Sequence, residues 1–245
     1  MIFSFKKQHK LSSLIPQGYV DIHSHVLPGI DDGASNIVDT KFLLDQMISL
    51  GFDQCITSPH IFTHVWDNNR TIIENKLRET RLELSDQLNE FLKFASSEYM
   101  IDDYFIERME NEKLLVLKDN IVLVEMSYLN PYVNLKNVIF EIQMKGYVPL
   151  LAHPERCSFY HNSLNNYEEL KKMGCLFQLN LLSTVGYYGN PTAKISDYLL
   201  KNNLIDYVGS DIHHVNHIEA FQNEIIIKST KELEKVFQNN LDFKV

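Results

Sequence analysis

Two kinds of hydrophobic pattern alternate along this chain. Short apolar runs, typical of buried strands, are separated by longer segments whose apolar residues recur at the spacing of one helix face. The runs predict strands over residues 19–25, 54–60, 91–100, 121–127, 148–153, 176–182 and 206–211. The segments that follow them predict helices over residues 36–50, 69–88, 102–111, 135–145, 167–173, 193–202 and 219–237.

Repeated strand–helix units predict an α/β fold with a parallel sheet and helices outside it. Crossovers of a single hand can curl such a sheet into a barrel, whose chemistry then lies at the carboxyl-terminal strand ends. An open doubly wound sheet is the alternative, but it gathers its site at one switch point. Because no Pro- or Gly-rich linker interrupts the units, we expect one domain over residues 19–245, after an N-terminal tail of residues 1–18.

Composition narrows the class of protein. The net charge of −9 argues against nucleic acid as the main partner, since proteins that bind it carry a basic footprint. The three cysteines show no pairing pattern and no secretory signal is visible, so a reduced, cytoplasmic protein is expected. The apolar run within residues 1–10 is too short for a signal sequence or a membrane span.

Polar residues gather where the predicted strands end. His23 and His25, two positions apart on a strand, point to the same face, a spacing that suits two imidazole ligands on one ion. Asp211 and His213 repeat this spacing at the last strand. One such pair is weak evidence, because polar residues are common at strand ends. Its repetition at several strands favours one shared metal site.

Single carboxylates add to this set. Glu98 and Glu125 lie within apolar runs, where a carboxylate is costly unless it is paired or bound to metal. For Glu125, an ion pair with an inward Arg or Lys is the alternative. Asp31 and Asp32 follow a Pro-Gly turn. We expect Asp32 to be a ligand and Asp31 to shape the turn or support the site.

Nine residues are therefore candidate metal ligands: His23, His25, Asp32, His60, Glu98, Glu125, His153, Asp211 and His213. They are too many for one tetrahedral zinc, and imidazoles with carboxylates suit Mn, Fe or Zn in a site of two or three ions. Such a site activates water and holds the oxygens of a phosphate, and Arg156 would add a bidentate phosphate contact. The other histidines are expected outside the ligand set, His214 beside the site or at the surface and His9, His64, His161 and His217 at the surface.

Two stretches carry a resemblance to a known family, DIHSHVLPGIDDGA at residues 21–34 and AHPER at residues 152–156. With them the chain, from about residue 19 to about residue 237, resembles the polymerase-and-histidinol-phosphatase (PHP) superfamily. Within it, the chain is most similar to the bacterial tyrosine-protein phosphatases encoded with capsule and exopolysaccharide genes, the CpsB/YwqE-like branch. The first stretch separates this branch from histidinol-phosphate phosphatases and polymerase domains better than the other segments do.

The resemblance implies a distorted (β/α)7 TIM-like barrel, the PHP fold, with three divalent ions, Mn first and Fe or Zn as alternatives. It implies hydrolysis of phosphotyrosine by a metal-activated hydroxide, on the tyrosine-rich tail of the tyrosine kinase that drives polysaccharide export. Carried over by motif, the ligands fall into three groups: His23, His25, Glu98 and Asp211; Glu98, Glu125 and His153; and Asp32, His60 and His213. The resemblance also implies a catalytic set of Arg156, Asp211 and His213, with Arg156 gripping the phosphate.

One stretch departs from the pattern of these relatives. They often have basic residues just after the His60 motif, whereas residues 61–70 here read IFTHVWDNNR. This stretch is expected at the substrate rim, where Trp66 would stack on a tyrosine ring or simply pack on the following helix. Tyr187–Tyr188 would likewise line the rim or plug a loop.

Three hypotheses for the function follow from the sequence. The first is a metal-dependent phosphotyrosine phosphatase. The second is a PHP phosphoesterase acting on a small metabolite such as histidinol phosphate, and the motif after His25 argues against it. The third is a non-catalytic regulator that kept the fold, and the completeness of the ligand set argues against that.

Overall fold

The computed structural model describes residues 9–245 as alternating strands and helices. The strands among these residues are β1 (Val20–Asp21), β2 (Gln54–Thr57), β3 (His60–Ile61), β4 (Leu92–Ala95), β5 (Glu98–Met100), β6 (Ile121–Glu125), β7 (Val148–Ala152), β8 (Leu176–Asn180) and β9 (Tyr207–Gly209). The helices are α1 (Ile37–Ser49), α2 (Arg70–Glu83), α3 (Asp86–Phe91), α4 (Asp103–Asn111), α5 (Leu135–Met144), α6 (Asn165–Lys172), α7 (Asn190–Lys201), α8 (Val215–Ala220) and α9 (Thr230–Asn239).

The strands form two parallel sheets, one with the order β1-β2-β4 and one with the order β3-β5-β6-β7-β8-β9. The predicted α/β class with parallel strands is thereby confirmed. Two predicted strands are interrupted, residues 54–60 at Ser58–Pro59 and residues 91–100 at Ser96–Ser97. Proline has no N–H to donate to a ladder, which accounts for the first interruption.

Backbone hydrogen bonds continue the strand pairing across both interruptions. The Ser96 N–H donates to Thr57 O at 2.8 Å, and the Glu98 N–H donates to Pro59 O at 3.1 Å. The end of β4 and the start of β5 therefore stay beside the chain that joins β2 to β3. This brings the residues at the carboxyl ends of both segments close together.

The first and last strands are also neighbours beyond their assigned ends. The Asp211 N–H donates to His23 O at 2.7 Å, and the His25 N–H donates to Ile212 O at 2.9 Å. Ser24 and Ile212 form an isolated parallel bridge. The segment after β9 consequently lies alongside the segment after β1.

Two apolar clusters hold the elements together. The larger one packs the helices on the strands, as α1 does with Leu43, Leu44 and Met47. The smaller one is formed mainly by strand residues: Val20, Ile22, Ile56, Leu123, Leu150 and Ala152, joined by Leu117 and Phe243. No helix among residues 9–245 is long and apolar enough to cross a membrane.

The last predicted helix, residues 219–237, is wrong as one element. α8 ends at Ala220 and α9 begins at Thr230. Between them the N–H groups of Lys228 and Ser229 both donate to Asp197 Oδ1 at 2.7 Å. This carboxylate, together with burial of apolar side chains in the connecting segment, stabilises a non-helical path there. Hydrophobic spacing alone did not reveal a partner from another helix.

The predicted helix over residues 69–88 also divides. α2 ends at Glu83, Leu84 is extended, and Ser85 caps α3 by accepting the Leu88 N–H at 3.4 Å. Ser is a strong N-cap residue, so this break has a local cause.

The predicted N-terminal tail lies partly outside the described residues, since residues 1–8 do. In its described part, Leu11–Leu14 form a short 3-10 helix and Leu11 is fully buried. The Leu11 N–H donates to Asn223 O at 3.1 Å. This part of the segment therefore packs on the body of the protein, and the domain boundary at residue 19 stays a prediction.

Candidate active site

A cavity of about 340 Å³ opens among the segments that follow the strands. Its lining contains seven of the nine predicted ligands: Asp32, His60, Glu98, Glu125, His153, Asp211 and His213. The other two, His23 and His25, are fully buried and contact the same carboxylates. The structure thus brings all nine residues to one place.

The most buried group in this site is a cluster of His23, His25, Glu98 and Asp211, in which one ligand atom from each residue lies within 4.8 Å of the others. His23 Nε2 is 3.1 Å from Glu98 Oε2 and 3.3 Å from Asp211 Oδ1. His25 Nε2 is 3.4 Å and 3.5 Å from the same two oxygens. These are the four residues that the family motif placed on one ion.

The hydrogen bonds of the two imidazoles fix which nitrogen faces the cluster. His23 Nδ1 lies 2.8 Å from Gln178 Oε1, and His25 Nδ1 lies 2.8 Å from Asp31 Oδ2. Because these oxygens accept, each Nδ1 carries a proton and each ring turns its Nε2 toward the carboxylates of the cluster. The two Nε2 atoms nevertheless face each other at 3.2 Å. Against the effect of burial, nearby carboxylates raise the pKa of both rings, so a cation bound between the two Nε2 atoms would take the place of the protons there.

Two further clusters share residues with the first: His60, Glu98 and Glu125, and His25, Asp32, His60 and His213. His60 Nδ1 is 2.9 Å from Glu125 Oε1 and 3.2 Å from Glu98 Oε2. His60 Nε2 and His213 Nε2 are each 3.5 Å from Asp32 Oδ1. The overlap means that ions in these clusters would be close neighbours.

The grouping differs from the motif-based one in two clusters, and in one of them His25 joins Asp32, His60 and His213. The motif put His153 with Glu98 and Glu125, whereas the three-residue cluster in the structure contains His60 in that place. His153 is nevertheless at hand, because its Nε2 lies 3.0 Å from Glu98 Oε1. Glu98 therefore has a histidine on each oxygen.

The donor set fits divalent cations. Among the described residues, His60 Nδ1 and Glu98 Oε2 are buried atoms without a hydrogen-bond partner, although both face other ligand atoms. Burial alone would raise the pKa of Glu98 and Asp211, but the surrounding histidines, His23 foremost, together outweigh it and hold both pKa values well below the usual range. The site thus holds ionised carboxylates and imidazoles with no thiolate, a mixture that suits Mn, Fe or Zn.

The backbone is unusual at two of the candidate ligands. His153 has φ 33° and Asp211 has φ 52°, in the left-handed region that residues with a Cβ rarely adopt. A glycine makes room nearby, because a Cβ on Gly209 would lie 2.7 Å from both His23 Cβ and Gln178 Nε2. Strain and close approach at one site are typical of function rather than of folding.

Arg156 lies at the side of the cavity. Its guanidinium carbon is 4.9 Å from the centre of the Tyr128 ring and 4.3 Å from that of the Tyr188 ring. Its Nη1 donates to Asp211 Oδ2 at 3.1 Å. Burial opposes the charge, but Asp211 and the other groups around it together raise the pKa of Arg156, so the guanidinium stays cationic. Tyr188 lines the cavity, whereas Tyr187 does not.

Sequence reasoning missed a chain of contacts behind Asp211. Asn180 Nδ2 donates to Asp211 Oδ2 at 2.7 Å. Glu155, fully buried, accepts the Asn180 N–H at 2.9 Å and the Ser183 hydroxyl at 2.8 Å. The only available signal was the position of Glu155 between His153 and Arg156. These residues hold Asp211 and the segment after β8 in place.

The prediction of a surface position for His217 is wrong. The residue is 7% exposed, its Nδ1 accepts the His213 N–H at 3.1 Å, and it lines the cavity. Burial, with His213 nearby, lowers the pKa of His217 to about 4, so the ring is neutral. Its neighbour His214 is exposed at the cavity, and the predicted exposure of His9 and His64 is confirmed. His161 is half-buried, with its Nε2 2.8 Å from Glu155 O.

The chain is similar to several known proteins. CapC of Staphylococcus aureus is 28% identical over 227 residues, which cover 90% of this chain and 89% of CapC. CpsB of Streptococcus pneumoniae, named a tyrosine-protein phosphatase, is 27% identical over 235 residues, which cover 90% of this chain and 96% of CpsB.

A solved structure shares the fold. It comes from crystal structures of YwqE from Bacillus subtilis and CpsB from Streptococcus pneumoniae, described as unique metal-dependent tyrosine phosphatases. It matches with a TM-score of 0.75 and 26% identity, over 88% of this chain and 86% of that one. A family model described as capsular polysaccharide synthesis, CpsB/CapC, matches residues 19–241. Since that match spans nearly all of the sequence, the protein belongs to the CpsB/CapC family.

Proposed function

We propose that this protein is a metal-dependent protein-tyrosine phosphatase. The observation that carries the proposal is the overlap of three histidine–carboxylate clusters in one cavity that Arg156 also lines. Membership of the CpsB/CapC family and the tyrosine phosphatases among its relatives support it.

The nine predicted ligands are proposed to hold three divalent ions, Mn first, with Fe or Zn as alternatives. Three clusters that share His25, His60 and Glu98 support this number. When bound, such ions lower the pKa of a water molecule and offset the charge of phosphate oxygens.

The other roles belong to the chain itself. Arg156 binds and orients the phosphate, because its charged guanidinium is held by Asp211 and two tyrosine rings. Asp211 links the two parts of the site, with Oδ1 toward His23 and Oδ2 toward Arg156. His213 has Nδ1 2.9 Å from Asp211 O, which leaves Nε2 for the cavity side.

We also propose that both sheets form one distorted (β/α)7 barrel within a single domain over residues 19–245. The hydrogen bonds that join the segment after β1 to the segment after β9 support this closure. So do those that continue from β2–β4 into β3–β5.

The substrate is proposed to be a phosphotyrosine protein, the tyrosine-rich tail of the kinase that drives polysaccharide export. The family description, capsular polysaccharide synthesis, supports this partner. Three free, buried cysteines support the predicted cytoplasmic location.

Phosphate release from a phosphotyrosine peptide tests the function. Activity should disappear with EDTA and return with Mn, and it should exceed activity on histidinol phosphate. An Arg156→Ala variant should keep its Mn content and lose about 100-fold in turnover, as the loss of one well-placed donor does elsewhere. If the protein cleaved histidinol phosphate efficiently and cleaved no phosphotyrosine peptide, the proposal would be overturned.

A further inference from the structure

A short hairpin, residues 60–68, forms one side of the cavity. We call it the Trp66 hairpin. The Trp66 N–H donates to Phe62 O at 2.8 Å, and the Phe62 N–H donates to Trp66 O at 3.1 Å. The Asn68 side chain donates to His60 O at 2.8 Å and to Ile30 O at 2.7 Å. These bonds fix the hairpin against the turn that precedes Asp31.

The hairpin places one large aromatic ring beside the candidate ligand His60, at the wall of the cavity. The indole of Trp66 stacks on the His60 imidazole, with ring centroids 4.6 Å apart and planes 11° apart. Trp66 also lines the cavity, as do Phe62 and Val65 from the same hairpin. It therefore does not simply pack on the following helix, which was the simpler of the two expectations for this residue.

The cavity thus has two chemically distinct parts. One part carries the charged groups that suit a phosphate, with Arg156 among them. The other is apolar and aromatic, and the Trp66 hairpin supplies Phe62, Val65 and Trp66 to it, beside Met100, Tyr128 and Tyr188. A phosphate ester bound with its phosphoryl group at the charged part can place its organic group against the apolar part, which lines the same cavity. An aromatic ring gains both burial and ring–ring contact there, whereas a short alkyl group gains less.

We propose that Trp66 is the specificity-determining residue that favours aryl over alkyl phosphates, an inference that rests on the proposed phosphatase function. The indole provides the surface on which the substrate's aromatic ring packs. His60, stacked beneath it, keeps that surface in register with the phosphate site.

Four proteins test the role: the wild type, Trp66→Leu, Trp66→Phe and Tyr104→Phe. Leu removes the aromatic surface but keeps apolar bulk, and Phe keeps an aromatic ring. Tyr104 contacts the hairpin through His64, at 3.2 Å, and does not line the cavity, so Tyr104→Phe is the matched control.

The probes are phenylphosphonate and methylphosphonate, which cannot be hydrolysed, bound to Mn-loaded protein and followed by calorimetry. The wild type should bind phenylphosphonate more tightly than methylphosphonate. Trp66→Leu should reduce this ratio of affinities by about 10-fold, because one aromatic ring–ring contact contributes about that much to binding. Trp66→Phe and Tyr104→Phe should keep it within about 3-fold. An unchanged preference in Trp66→Leu would overturn the inference.

A purely structural role for Trp66 predicts a different result. If the residue only supports His60, Trp66→Leu loses Mn and both phosphonates weaken equally, which also overturns the inference. Mn content by elemental analysis separates the cases. Trp66 is the only tryptophan in the sequence, so its fluorescence reports ligand binding in the wild type directly.

Failure of the proposed function would look different again. A protein that binds phenylphosphonate selectively, with a preference that depends on Trp66, but cleaves no phosphotyrosine peptide would overturn the function and support the ring-binding role. A protein that cleaves phosphotyrosine peptides, with a phosphotyrosine-to-phosphoserine ratio of kcat/KM unaffected by Trp66→Leu, would support the function and overturn the ring-binding role.

Discussion

The strands carry two regions of opposite character only a few residues apart. Ile22, Leu123 and Leu150 belong to a buried apolar cluster, and each is followed within three residues by a predicted ligand. The apolar cluster stabilises the fold, since each buried side chain of this size contributes about 1.5–3 kcal/mol. The polar region instead contains unpartnered buried atoms and positive φ angles.

This difference indicates that the apolar cluster, and not the polar region, is optimised for folding. Buried carboxylates, two imidazole Nε2 atoms only 3.2 Å apart and left-handed backbone at His153 and Asp211 all cost stability. Such a cluster persists in a structure when the rest of the fold determines it and when a ligand relieves it. The apolar cluster needs no such ligand.

The sharpest way to break the polar region is Asp211→Ala. It removes a ligand of His23's cluster and the partner of Arg156 together. We expect loss of bound metal and at least a ~100-fold loss of activity, the upper range for residues that support metal sites. Elemental analysis and phosphate release measure both. The exposed Asp45→Ala serves as control, and full activity in Asp211→Ala would show that the ligand assignment is wrong.

Leu150→Ala should have the opposite profile. Leu150 is fully buried in the apolar cluster, so its truncation to alanine should lower the free energy of unfolding by about 2–5 kcal/mol. Below the unfolding transition, metal content and kcat per folded molecule should stay as in the wild type. Urea unfolding and activity on the same sample test this. Loss of activity without loss of stability would contradict the division between the regions.

Gln178→Leu probes the boundary between them. The amide oxygen of Gln178 holds the Nδ1 proton of His23, and its loss should weaken metal binding by about 10- to 100-fold. Gln178→Glu keeps an acceptor and should retain most of the affinity. Competition with a chelator measures the difference. Equal effects of both variants would mean that the residue only fills space.

Competition between protons and the metal ion for His23 should give the smallest effect, one that changes gradually with pH. Burial would lower the pKa of His23, but Glu98 and Asp211 overcome it and raise the pKa to about 9 in the metal-free protein. A bound ion must displace this proton, so Mn affinity should rise from pH 6 to pH 9, about tenfold per pH unit for each proton displaced. Titrations followed by Trp66 fluorescence across this range test the sign. An affinity independent of pH would contradict it.

The candidate ligands could be picked out from the sequence because of a local rule. A parallel strand ends where its polar residues begin, and the carboxyl ends of parallel strands lie on the same side. Residue type and position therefore marked His23, Glu125 and Asp211 as candidate ligands. Hydrophobic spacing similarly gave most strands and helices, since one buried face imposes its period on the chain.

The residues missed by sequence reasoning act through distant partners. Gln178 lies 155 positions from His23, and Asn180 lies 31 positions from Asp211. Nothing local marks a neutral amide as the group that orients an imidazole. Surface and buried histidines likewise look alike in sequence, so His217 was placed wrongly.

By itself the sequence determined the α/β alternation, the apolar strand interiors and the identity of the nine candidate ligands. Only the tertiary structure decided which ligands share a cluster, that Asp197 holds the break before α9, and that Trp66 stacks on His60 rather than on a helix. The physical reason is the distance along the chain between the residues that interact. Periodicity and strand ends are set by neighbouring residues, whereas these contacts depend on how separate segments meet when the chain packs.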